Sequence, residues 1–142
     1  MAIQHYFMYA IVGNKDLVEY LVKHEADINT ENENGKTPLL IAIECGNKDL
    51  VKYLVKNGAD INKENEDGIT PLYGACGNGN KDLVEYLVEH RADINKEDKI
   101  GNSPLFSAFK RGNKELVEYL VENGVNINEE NKFGQTPLLN HV

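Results

Sequence analysis

The chain is 142 residues long, a length that suits one domain. Its apolar content of 41% is enough for a packed core and too much for a disordered chain. A net charge of -8 argues against nonspecific nucleic-acid binding, which needs surplus Lys and Arg, and against docking on an anionic membrane surface.

In chain order, residues 1–12 are fairly apolar but have no Lys or Arg ahead of them, so they read as a helix and not as a secretory signal. No apolar run approaches the roughly 18 residues of a membrane span. Gly13 precedes a run, Asn14-Lys15-Asp16-Leu17-Val18-Glu19-Tyr20-Leu21-Val22, that suits a second helix. Further on, Thr37 can cap a helix, and Pro38 fits the first helical position because its missing N–H would have no partner there. A short helix is predicted over Leu39 to Cys45, ended by Gly46. A longer one follows from about Lys48 to Lys56, with Leu50, Val51, Leu54 and Val55 forming a one-sided apolar stripe. Asn57-Gly58 stops it, and the polar, Gly-bearing stretch beyond reads as a projecting loop.

This unit recurs. Gly35, Gly68, Gly101 and Gly134 are spaced by 33, as are Pro38, Pro71, Pro104 and Pro137, and as are Gly13, Gly46, Gly79 and Gly112. The Asn-Lys-led helix returns from Asn47, Asn80 and Asn113. Ala26-Asp27-Ile28-Asn29 returns from Ala59, Ala92 and, altered, Val125. A helix pair this short cannot bury its own apolar face, so the units must stack into a solenoid. The units run over about 1–31 (partial), 32–64, 65–97, 98–130 and 131–142 (partial). Tyr6, Phe7 and Met8 stand where Leu39, Leu40 and Ile41 stand later, and the chain stops inside the first helix of a fifth unit. With no polar cap there, a piece of a longer protein is the expectation.

Several short patterns on the same frame come near known chemical motifs. Gly35-Lys36-Thr37 resembles the tail of a phosphate loop, but the Gly required five residues before Gly35 is Thr30. Gly77-Asn78-Gly79-Asn80 lacks the strand and later Gly of a dinucleotide fingerprint. Asp60, Asn62 and Glu64 have calcium-loop spacing, but the sixth and twelfth positions are Asn65 and Pro71. His5, His24, His90 and His141 have no Cys or carboxylate at ligand spacing. His24 and His90 read as favourable charges at the C-terminal ends of helices. Cys76 reads as a small core residue and Cys45 as more exposed. Two cysteines make no disulfide framework, so a reducing, intracellular compartment, cytoplasmic or nuclear, is expected. Tyr20, Tyr53, Tyr86 and Tyr119 read as inter-repeat packing with surface hydroxyls. No catalytic residue, metal or cofactor is expected.

The pattern Asp67-Gly68-Ile69-Thr70-Pro71-Leu72, a short helix, Gly79, a longer apolar helix and a Gly58-Ala59-Asp60-Ile61-Asn62-type unit end resembles the ankyrin repeat over essentially the whole chain. The resemblance implies a mainly α solenoid of stacked helix-turn-helix units with projecting β-hairpin loops. The chain departs from the family in three ways. Leu40, Tyr73, Phe106 and Leu139 replace the His that usually follows Thr-Pro-Leu, which leaves its hydrogen bonds absent or replaced by apolar packing. Glu25 and Arg91 stand at helix-ending Gly positions, at a cost on the order of 1 kcal/mol each if left-handed. Asn replaces the usual His after Gly13, Gly46, Gly79 and Gly112.

The resemblance also implies that partners bind a concave face of hairpin tips and short helices. On this chain the matching positions are Glu33, Lys36, Glu44, Glu66, Asp67, Ile69, Asn78, Lys99, Ile100, Asn102, Lys110, Arg111 and Phe133. Ile69, Ile100 and Phe133 read as apolar anchors, and the charge shifts from acidic to basic along the face. The expected function is a non-catalytic protein-binding scaffold. The alternative is a structural spacer or self-associating segment. The expected partner is another protein, with the chain itself a monomer or associating end to end.

Overall fold

A computed structural model describes residues 2–128 and 130–136. Pro137, Leu139, His141 and the expected fifth-unit helix lie outside the described residues. Eight helices are found there, in pairs: α1 (Ala2–Ile11) with α2 (Lys15–Lys23), α3 (Pro38–Glu44) with α4 (Lys48–Lys56), α5 (Pro71–Gly77) with α6 (Lys81–Glu89), and α7 (Pro104–Arg111) with α8 (Lys114–Glu122). This is the mainly α solenoid that the repeat period leads one to expect.

Local chemistry sets each helix end. Thr37 Oγ1 accepts from Leu40 N–H at 3.3 Å and Thr70 Oγ1 from Tyr73 N–H at 3.2 Å, each followed by Pro at the first helical position. The Asn residues after the repeated Gly have a role that the sequence reading missed. Asn14, Asn47, Asn80 and Asn113 cap the long helices, their side-chain oxygens taking the N–H of Leu17, Leu50, Leu83 and Leu116 at 3.0–3.2 Å. At the other end, Ala26 N–H bonds Leu21 O while Glu25 N–H bonds Val22 O, the paired closure of a left-handed helix stop. Glu25 (φ 70) and Arg91 (φ 71) do adopt the left-handed conformation that Gly58 and Gly124 adopt at the equivalent sites.

The short helices approach their neighbours in the next unit more closely than the long helices do. Leu39, Ala42 and Ile43 from the short helix and Leu50, Val51 and Leu54 from the long one feed a core that runs through the stack. The first pair needs a correction of register. Phe7, Ala10 and Ile11 are buried where Leu39, Ala42 and Ile43 are buried, while Tyr6 is exposed. The turn after α1 is one residue shorter than the later ones. Asn14 N–H reaches back four residues to Ala10 O, whereas Asn47, Asn80 and Asn113 reach back five, to Ala42, Ala75 and Ala108. Phe7 therefore matches Leu39, and the 33-residue step breaks by one at the N-terminal unit.

Candidate interaction face

The projecting tips are built on one residue per unit: Asn32, Asn65, Asp98 and Asn131. Each accepts two backbone N–H groups through its side-chain Oδ1. Asn65 takes Asp67 N–H at 2.9 Å and Ile69 N–H at 3.0 Å, and Asp98 takes Ile100 N–H at 3.0 Å and Asn102 N–H at 2.9 Å. A backbone bond such as Asn65 N–H to Ile69 O closes the loop. The tips are thus tight side-chain-nucleated turns, with no laddered strand among the described residues.

Successive tips are tied together by main chain. Glu66 N–H bonds Asn34 O at 3.3 Å, Lys99 N–H bonds Asp67 O at 3.1 Å, and Lys132 N–H bonds Ile100 O at 2.8 Å. The repeated Gly is needed for that closeness. A Cβ on Gly68, itself at φ +80, would lie 2.9 Å from Lys99 N. Unit ends are tied as well: Asn29, Asn62 and Asn95 accept through Oδ1 from Asp60, Asp93 and Asn126 N–H at 2.7–2.9 Å. Asn62, one arm of the calcium-spaced trio, is committed to that joint.

The candidate residues divide on this frame. Glu33, Glu66, Asp67, Lys99, Lys110 and Arg111 are exposed, and Ile100 and Phe133 are exposed to 43% and 71%. Lys36 and Glu44 are ion-paired at 2.7 Å, linking the first tip to α3. Asn78, at the end of α5, donates from Nδ2 to Ile43 O at 3.1 Å. Arg111 Nη1 reaches Gly77 O at 3.5 Å. Ile69 does not share the setting of Ile100 and Phe133. It is half-buried in the closing leg of its turn, four residues after Asn65, while the other two stand at the apex. Asn102 is only 5% exposed, and its Oδ1 accepts from Asn131 Nδ2 at 3.0 Å, so it joins two tips.

Tyr73, at the missing-His site, is half-buried, with the Asp98 carboxylate and the Asn102 side chain of the next tip near its hydroxyl. Burial, then the Asp98 charge, pushes the phenol well above its ordinary range. Burial likewise pushes the Cys76 thiol up to about 12, whereas Cys45 is exposed. His24 and His90 place Nδ1 at 2.8 and 2.7 Å from Tyr20 O and Tyr86 O and stack on those two rings. A carbonyl only accepts, so each Nδ1 carries a hydrogen. Asn57 and Asn123 make the same bond at the equivalent sites, a helix-end role that accounts for both histidines.

Among the described residues, no group of three His, Cys, Asp or Glu side chains is placed to hold a metal ion, and no helix is long and apolar enough to cross a membrane. No curated protein gives a match to the chain. A family model described as ankyrin repeats (3 copies) matches residues 4–65 and 58–131. With repeated helix pairs, bonded tips and that match all in agreement, the chain belongs to the ankyrin repeat family, whose repeats generally mediate protein–protein interactions.

Proposed function

We propose that this chain is a non-catalytic scaffold that holds another protein against the row of tips and short helices. The observation that carries the reading is the pair Ile100 and Phe133. These are exposed apolar side chains at the apices of adjacent tips, on a frame whose backbone is fixed by Lys132 N–H to Ile100 O. Rigid, exposed apolar groups beside charged ones are what interface anchors look like. The proposed face comprises Glu33, Lys36, Glu44, Glu66, Asp67, Asn78, Lys99, Ile100, Lys110, Arg111 and Phe133. Ile69 and Asn102 act behind it, holding the tips.

Capture from the native cell extract tests the reading. Wild-type chain and Ile100→Asp/Phe133→Asp are immobilised side by side, with matched circular dichroism. The double variant is expected to lose the wild type's specific partner about tenfold or more. Equal recovery on both surfaces would remove this face from consideration.

A further inference from the structure

The four tips and the short helices form columns of equivalent positions, and the columns change character together. Positions 33, 66, 99 and 132 read Glu, Glu, Lys, Lys. Positions 34, 67, 100 and 133, one step nearer the apex, read Asn, Asp, Ile, Phe. On the short helices, positions 44, 77 and 110 read Glu, Gly, Lys, and 45, 78 and 111 read Cys, Asn, Arg. Each column turns cationic or apolar toward the C-terminal units. The Lys36–Glu44 pair at 2.7 Å joins the end of α3 to the closing leg of the first tip, so the helix ends and the tips border one face.

Lys15, Lys36, Lys48, Lys63, Lys81, Lys96 and Lys114 each have a carboxylate within 4.0 Å. Lys99, Lys110, Arg111 and Lys132 have no such carboxylate among the described residues, in a chain of net charge -8. Lack of an ion pair is shared with Lys23, Lys52, Lys56 and Arg91, so it is their place in these columns that sets Lys99, Lys110, Arg111 and Lys132 apart. Asp98, next to Lys99 in sequence, already accepts two backbone N–H groups.

We infer that the C-terminal half of this face binds an acidic protein segment carrying a bulky apolar residue. Its carboxylates meet Lys99, Lys110, Arg111 and Lys132, and its apolar side chain meets Ile100 and Phe133. Arg111 offers a carboxylate two parallel donors, and partly desolvated pairs of this kind fix orientation as well as attraction. Nucleic acid is the other polyanion to consider. The acidic N-terminal half of the same face, Glu33, Glu44, Glu66 and Asp67, opposes a phosphate backbone running along it. The inference rests on the proposed scaffold reading and narrows its partner.

Random peptides displayed on phage and selected on the full chain provide the test. Selected clones are expected to be rich in Asp and Glu beside a Phe, Trp or Leu. Synthetic copies are expected to bind Lys110→Glu/Arg111→Glu about tenfold more weakly, Lys110→Gln/Arg111→Gln by a smaller factor, and to weaken several-fold between about 50 and about 250 mM NaCl. Lys52→Glu/Lys56→Glu, on the long helix α4, is expected to bind as wild type. Clones that lack acidic residues but still require Ile100 and Phe133 overturn the inference and leave the scaffold reading standing. Clones indifferent to every variant, or no enriched clone, overturn both. A single-stranded DNA that displaces the peptides at equal concentration overturns the choice of a protein ligand.

Discussion

At the scale of single residues, Asn32, Asn65, Asp98 and Asn131 hold the most structure per side chain. One oxygen in each turn receives two N–H groups that would otherwise face solvent or the next tip. Asn65→Ala removes both acceptor contacts and is expected to lower unfolding free energy by about 1–3 kcal/mol. Asn65→Asp should recover most of the loss, since Asp98 already does the same work one unit on. Urea denaturation followed by circular dichroism measures both, and an Asp variant as weak as the Ala one would contradict the account. The sequence hides this role because an Asn or Asp in a polar, Gly-bearing stretch reads equally well as an ordinary loop residue. Asn102 was hidden differently. Its burial comes from Asn131 in the next unit, a partner 29 positions away, which no local pattern reports.

For whole elements, the sequence was readable wherever a rule acts within one turn of chain. Thr37 and Pro38 announce α3, and the stripe Leu50, Val51, Leu54 and Val55 announces α4, whose bounds Lys48–Lys56 match the prediction. The α1 register was misread because counting back from Gly13 assumes an unbroken period. Burial overrules the count: Phe7, Ala10 and Ile11 are the residues that complete the core. The helix stops at Glu25 and Arg91 show a local rule violated and still obeyed by the backbone, with φ 70 and 71. Side chains in that conformation are strained, so Arg91→Gly is expected to stabilise the chain by about 1 kcal/mol. A thermal melt reads this as a rise of about 2–4 °C. A fall in midpoint would show that the Arg91 side chain contributes more than its backbone costs.

Over the whole molecule, stability should be distributed as in a row of coupled units, each touching only its neighbours. Leu21 and Leu87 occupy equivalent sites on α2 and α6, nearly buried in both cases. Leu87→Ala disturbs joints on both sides and is expected to cost about 2–5 kcal/mol. Leu21→Ala disturbs one joint near the end and should cost clearly less. Equal losses in urea would mean that the array behaves as a single undivided core. The row of tips has one more consequence. Main-chain bonds fix the pitch along that edge, from Asn34 through Asp67 to Ile100. Across the opposite edge, the long helices are joined by exposed ion pairs at 3.8 Å, Lys48–Asp82 and Lys81–Glu115. Such pairs are weak and yield readily. The tip edge is therefore pinned by directional main-chain bonds that salt does not screen, while the ion pairs of the long-helix edge add only screened contacts to the buried core beneath them.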